Sequence, residues 1–292
     1  YLVPASVFAE GEFTDPKVIF SYGNRINGYN GEDLRIVVED YTVYTHTDNS
    51  KYYVFECYGI TPSQVGDAVS ATLYGSFGGE TYTHVNDDYG VSSYCYAQLE
   101  QSDSKELKTL MVDLLNYATA ARVYTGYKAD EPVNAGLTEE EKSYGTTAVP
   151  TLENHLNLKQ AVIAAPTASW KGASVVLGDT VAIRVRFAVE SLENVTVKAV
   201  LAGKTYVLDS SSIKSAGNGE YYVTFAEMNA YQLRDTVDFT VYRGSEAISN
   251  TVRYSVVSYA YAQQNHTSTK LVALLQAMMR YGDAANAYLA SK

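Results

Sequence analysis

The second half of this 292-residue chain repeats the first half, and this duplication constrains the fold more than any other feature. The ten residues from Tyr89 to Gln98 match the ten from Tyr254 to Gln263. Three further stretches also match: Tyr52 to Val54 with Tyr221 to Val223, Gly66 to Val69 with Arg234 to Val237, and Leu107 to Tyr124 with Leu271 to Tyr288. Because a repeat signals one structural unit used twice, the sequence predicts two modules with the same order of elements.

The first part of each copy has the pattern of β-strands. Every second residue from Val181 to Phe187 is apolar, and the same alternation runs through 237–241 and 69–73. This period of two is typical of strands with one buried face. Turn-forming residues, such as those from Ser215 to Gly219, separate the short strands and favour an antiparallel sandwich.

The end of each copy has the pattern of helices. Apolar residues from Leu271 to Tyr288 fall on one helical stripe, and those from Leu107 to Tyr124 do the same. Asp103 and Glu106 form a candidate capping pair before the first stripe. The predicted fold is therefore mixed and mainly β: two antiparallel β-sandwich modules, each ending in an amphipathic helix.

Four segments follow from this pattern. We predict an N-terminal arm or signal remnant over 1–15, module 1 over 16–127, a connector over 128–160 and module 2 over 161–292. The uncharged start from Tyr1 to Ala9 fits either the tail of a secretory signal or a strand docked in its own or a neighbouring sandwich.

One pattern resembles a known kind of module. The stretch from Tyr254 to Ala260, followed by the Leu-rich helix that ends in Tyr-Gly-x-Ala-Ala at Ala285, resembles a repeated β-sandwich-plus-helix module of extracellular proteins from gut-dwelling Gram-positive anaerobes. The first copy departs from the pattern, with Cys95 for Ala and Ala118-Thr119 for Gly-x. The resemblance implies a secreted or cell-surface location and carries no reaction with it.

Composition excludes two classes of partner. A net charge of −11 does not suit nucleic-acid binding, which depends on neutralising phosphates. No apolar run reaches the roughly 18 residues that predict a membrane span.

The 27 Tyr residues, against 8 Phe and 1 Trp, suit half-buried strands that face water.

No catalytic or metal-binding motif stands out. The four His are not at ligand spacing, and the acidic turns 30–33 and 86–88 are each too short to predict a calcium site. We therefore predict no enzyme activity, no cofactor and no metal.

A few residues remain as candidates. Trp170 is either the edge of a core or a platform on which a sugar stacks. Cys57 and Cys95 are either two buried thiols or one disulfide. Residues kept in both copies most simply maintain the fold: Asp67 and Asp235 are predicted to cap turns, and the shared tyrosines, such as Tyr117 and Tyr281, to pack each helix onto its own sandwich.

Two functions follow as hypotheses. The first is a non-catalytic surface protein for adhesion, binding a glycan, a surface polymer or a host surface. The second is a self-associating structural subunit of a surface layer or filament, in which the N-terminal arm is donated to a neighbour as a strand.

Overall fold

The computed structural model describes residues 1–7, 13–24, 33–77, 80–178 and 180–292. Strands hold 36% of the residues and helices 28%, in several antiparallel sheets and five helices within those ranges. The predicted mixed, mainly β class is confirmed. None of the helices in the described ranges combines the length and apolar character that crossing a bilayer requires.

The first copy holds two sheets and two helices. The three-stranded sheet has the order β1-β5-β4, and the four-stranded sheet has the order β3-β2-β6-β7. Buried residues of both sheets, such as Val3 and Phe20, share one core that also contains Phe55. The elements are β1 (Leu2–Pro4), β2 (Phe13–Asn24), β3 (Asp33–Val38), β4 (Thr42–Thr45), β5 (Lys51–Val54), β6 (Val69–Phe77), β7 (Glu80–Tyr89), α1 (Val91–Gln101) and α2 (Lys105–Thr125).

The second copy repeats this plan with a larger core. Its sheets have the orders β13-β14-β10-β9 and β12-β11-β15-β17-β8, and β16 pairs with β15. The connector and second copy contain α3 (Glu139–Lys142), β8 (Asn157–Ala161), β9 (Ala168–Leu177), β10 (Val181–Val189), β11 (Val195–Leu201), β12 (Lys204–Leu208), β13 (Lys214–Gly217), β14 (Glu220–Phe225), β15 (Val237–Arg243), β16 (Glu246–Ala247), β17 (Thr251–Tyr254), α4 (Val256–Gln263) and α5 (Thr269–Ala290).

The predicted alternation determines which face of each strand is buried. In β10, Ile183, Val185 and Phe187 are fully buried, while Arg184 and Arg186 point to the other side. Every second residue of β11 is buried in the same way, and these residues meet those of β10 in one cluster. Buried residues of the two sheets of the second copy therefore belong to one core.

Burial corrects one match between the copies. Aligning Tyr52 to Val54 with Tyr221 to Val223 leaves the fully buried Phe55 opposite the half-buried Thr224. A shift by one residue aligns Phe55 with Val223, which is also fully buried. A one-residue slip turns every side chain to the opposite face, so burial rules out the unshifted alignment. The shift that aligns Phe55 with Val223 also aligns Gln64 with Gln232, which hold the same position in two equivalent short turns.

The N-terminal residues form a strand within their own copy. In β1, Val3 lies opposite Tyr53 and is buried, just as Phe187 of β10 lies opposite Tyr221 of β14. β1 thus occupies the place of β10. In the second copy β9 flanks β10, whereas no described strand flanks β1 on that side.

Serine residues begin the long helices. Ser104 accepts a hydrogen bond from the amide of Leu107, and Ser268 accepts one from Leu271, so the expected cap at Asp103 is wrong by one residue. α2 ends at Gly126, whose φ of 81° is the left-handed conformation that glycine adopts without strain.

The connector is held against both copies. The Asp113 carboxylate of α2 accepts hydrogen bonds from the amide and hydroxyl of Thr146, at 3.0 and 2.7 Å. Arg280 of α5 donates to the carbonyl of Ala148 at 2.9 Å. β8, at the end of the connector, joins a sheet of the second copy by pairing with β17.

The helices α2 and α5 pack against each other and join the copies. Tyr117 and Tyr281 stack with ring centroids 5.7 Å apart and an interplanar angle of 16°. Tyr117 and Ala121 of the first copy belong to the core cluster of the second. The shared tyrosines at these two positions therefore contact each other across the copies. Tyr281 packs against the core of its own copy as predicted, whereas Tyr117 belongs to the core cluster of the other copy rather than that of its own.

Gly282 of α5 provides a test of how closely this helix approaches the turn at 230–232. A Cβ at Gly282 would lie 2.8 Å from Leu233 Cδ1 and 2.9 Å from the carbonyl oxygen of Ala230. Alanine normally stabilises a helix over glycine by about 1 kcal/mol. Because the backbone carbonyl cannot easily move, we expect Gly282→Ala instead to lower the free energy of unfolding by about 1–3 kcal/mol, measured by urea denaturation.

Gly172→Ala is the matched control, because a Cβ at Gly172 meets nothing within 4 Å. We expect its stability to equal or exceed that of the wild type. A Gly282→Ala chain as stable as the wild type would contradict the close approach.

Candidate functional site

A shallow trough lies on the outer face of the sheet β13-β14-β10-β9. Its floor and walls come from small residues on β9 and β13 and from larger side chains on β10 and β14. Arg184 and Arg186 reach it because the intervening residues of β10 are buried on the other face. The lining residues are Gly172, Ala173, Ser174, Arg184, Arg186, Ala216 and Tyr222.

The trough concentrates positive charge next to an aromatic ring. The Arg184 guanidinium lies over the Tyr222 ring, 4.5 Å from its centroid, within the range of a cation–π contact. Arg186 pairs with Glu220 at 3.2 Å, yet its side chain is 53% exposed. In the strand register, the exposed Lys214 lies opposite Tyr222 and adds a third cation to this side of the sheet. The arrangement suits an anionic ligand that also offers an apolar face.

Trp170 lies beside this trough but does not line it. A register shift in β9 places Trp170 opposite the buried Phe187, and the two rings meet edge to face at 5.9 Å. The indole nitrogen donates a hydrogen bond of 2.6 Å to the carbonyl of Asn250. The half-buried ring therefore packs at the edge of the core.

The two cysteines are free thiols in separate clusters. Cys57 packs against the sheet core of the first copy, and Cys95 lies in the helical cluster around α1 and α2. Burial raises the pKa of Cys57 to about 11 and that of Cys95 to about 12, so neither is a reactive thiolate near neutral pH. Cys95 and its counterpart Ala260 are both fully buried, as expected for a small core position.

The acidic turns 30–33 and 86–88 give no metal site to describe. Residues 30–32 and the side chains of Asp33, Asp87 and Asp88 lie outside the described part of the structure. Among the residues that are described, no group of three or more His, Cys, Asp or Glu side chains comes close enough to hold a metal ion.

Asp67 does more than the predicted turn capping. Its buried carboxylate accepts hydrogen bonds from Arg122 at 2.7 Å, Tyr127 at 2.5 Å and Lys128 at 2.8 Å. Arg122 also donates to the carbonyls of Ser63 and Glu131. Burial, followed by the bond to Asp67, raises the pKa of the Tyr127 hydroxyl. These contacts hold the turn before β6 against α2.

In the second copy an arginine–aspartate pair again holds the turn against the long helix, but here the arginine lies on the turn and the aspartate on the helix. Arg234 stands on the turn before β15, at the position of Gly66, and pairs with Asp283 of α5. In the first copy Gly66 has no side chain, and a Cβ there would lie 2.9 Å from the Arg122 guanidinium. A repeat comparison of residue types alone therefore misses this contact.

Sequence reasoning also missed the trough. Arg184 and Arg186 are recognisable as the polar positions of β10, but Tyr222 and the small floor residues come from other strands. Only the strand registers bring them together.

The buried pair Asp67–Arg122 should be essential for stability. Asp67→Asn leaves the Arg122 side chain, which is 5% exposed, without a counter-charge. We expect a loss of about 3–5 kcal/mol in the free energy of unfolding, measured by urea denaturation.

Asp238→Asn is the matched control, since Asp238 pairs with Arg253 at 2.7 Å on a partly exposed sheet face. Its loss should stay below about 1 kcal/mol, because solvent screens the pair. Equal losses in the two variants would show that burial does not set the strength of the Asp67 contact.

No protein-family model and no curated protein matches the chain.

Proposed function

We propose that the chain is a non-catalytic binding protein, secreted or displayed on a cell surface, and that the trough binds an acidic glycan or surface polymer. The observation that supports this is the grouping of Arg184, Arg186 and Tyr222 on one open sheet face. We also propose that each copy is an antiparallel β-sandwich module closed by its amphipathic helix, as the shared core of the two sheets in each copy suggests.

The chemistry of the trough favours a carboxylate-bearing sugar. The planar guanidinium of arginine presents paired donors that match the two oxygens of a carboxylate. The exposed Arg186 can exchange Glu220 for a ligand carboxylate at small cost, because an exposed ion pair contributes little stability. The small residues Gly172, Ala173 and Ala216 leave room for a sugar ring beside Tyr222.

The net negative charge of the chain supports the binding of an acidic ligand at one local site. At a net charge of −11, most of the surface repels a polyanion. An acidic polymer would therefore be retained only where cations cluster, and its binding would weaken as salt screens the arginines.

A second candidate function is a structural subunit of a surface layer or filament. The observation that favours it is the outer side of β1, where no described strand pairs and where Leu2 is 56% exposed. An edge strand can accept a strand from a neighbour. Because residues 2–4 already pair with β5, the arm would receive a strand in this arrangement without having to leave its own sheet.

Glycan binding by calorimetry or a glycan array tests the first proposal. We expect oligogalacturonates and sialylated oligosaccharides to bind, and neutral cello- and xylo-oligosaccharides to bind more weakly. Arg186→Ala should weaken binding of the acidic sugars at least about tenfold, since one charged hydrogen-bonding group is lost. Raising the salt concentration should weaken it further.

Arg243→Ala is the control, because Arg243 is an exposed arginine on the other sheet of the same copy. It should leave glycan affinity unchanged. Absence of binding to any glycan, or equal losses in both arginine variants, would overturn the proposal for the trough.

A further inference from the structure

The contact between the two copies is made by equivalent residues. We define the helix interface as the contact of α2 with α5. At its centre Tyr117 stacks on Tyr281, and these two residues are each other's counterparts in the repeat. A contact between counterparts is what a twofold axis produces.

The contacts on either side of this stack are reciprocal. Tyr124 of α2 lines one small pocket together with Leu274 of α5. Their counterparts, Tyr288 of α5 and Leu110 of α2, each pack against the helical cluster of the first copy. The same two residue types thus share one environment on each side of the stack, a pocket on one side and the helical cluster on the other.

Two further pairs of neighbouring tyrosines are also counterparts of each other in the repeat. Burial, followed by the nearby Tyr288, raises the pKa of Tyr94 on α1. Burial, followed by the nearby Tyr124, raises the pKa of Tyr259 on α4. Tyr94 and Tyr259 are counterparts, as are Tyr288 and Tyr124, so this neighbourhood also occurs in both directions across the interface.

We infer that the helix interface is the self-association surface of the module, and that the partner it fits is the same surface on a second copy of this chain. In an exchanged dimer, α2 of one chain pairs with α5 of the other, and α5 pairs with the other α2. Every contact of the helix interface is then made between chains while the contacts within each copy are kept, so the two forms differ mainly in the connector.

The connector explains why α2 normally packs against α5 of the same chain. Thr146 binds Asp113 on α2, and Ala148 binds Arg280 on α5, so the connector crosses from one helix to the other within two residues. Such a short tether gives the partner helix an effective concentration in the millimolar range or above. Exchange between chains should therefore become visible when the chain refolds at comparably high concentration.

Refolding of the full chain from urea at two concentrations tests this inference. At about 1 µM we expect a single species of 32.0 kDa, and at about 1 mM a dimer that survives dilution because exchange requires unfolding. Light scattering coupled to size exclusion measures both masses. A monomer alone at every concentration would overturn the inference.

Cross-linking identifies the surface that the dimer uses. One chain carries Tyr117→Cys and a differently tagged chain carries Tyr281→Cys, both in a Cys57→Ser, Cys95→Ala background. Neither chain has two thiols, so a short bis-maleimide can join them only across an exchanged helix interface. The folded state of each variant is first checked by circular dichroism.

We expect covalent dimers that contain both tags when the two chains refold together at high concentration, and far fewer when either chain refolds alone. Dimers without mixed cross-links, or with cross-links formed equally within each variant, would show that another surface joins the chains and would overturn the inference.

Discussion

The packing of α2 against α5 is the contact on which the arrangement of this protein depends. It places Tyr117 inside the core cluster of the second copy and Tyr288 against that of the first. Each copy therefore completes part of the hydrophobic core of the other. Apolar burial is non-directional, but the stacked pair of Tyr117 and Tyr281 fixes the crossing point of the two helices. The sheets and the trough are positioned relative to this helical centre.

The two copies share this packing of a long helix, but they differ in the charged and exposed residues around it. Both copies hold a short turn against the long helix with an arginine–aspartate pair, but the arginine stands on the helix in the first copy and on the turn in the second. The sheets have diverged further: the position of the exposed Arg186 in β10 is held in β1 by Leu2, which is 56% exposed. Under the proposed function, the second copy binds the ligand and the first contributes to the shared core.

The sequence predicted those strands and helices that show a regular spacing of apolar residues. Alternation in β10 and β15 and the apolar stripes of α2 and α5 indicated these elements, because one face of each meets a core. It predicted few of the contacts between residues that lie far apart in the sequence. The trough combines residues from four strands, the Asp67 carboxylate binds side chains some 55 to 61 residues further along the chain, and β8 joins its sheet from within the predicted connector. No local pattern marks these encounters, since registers and crossings are set by the whole fold.

Unfolding followed separately in each copy tests most directly whether the helix interface unites them. Trp170 is the only tryptophan and lies in the second copy, whereas Cys95 is buried in the first. Tryptophan fluorescence and the labelling of Cys95 in a Cys57→Ser chain therefore report on different copies across one urea titration. The account predicts coincident transitions, as expected for a single cooperative unit. Two transitions with separate midpoints would show that the copies fold independently and would contradict it.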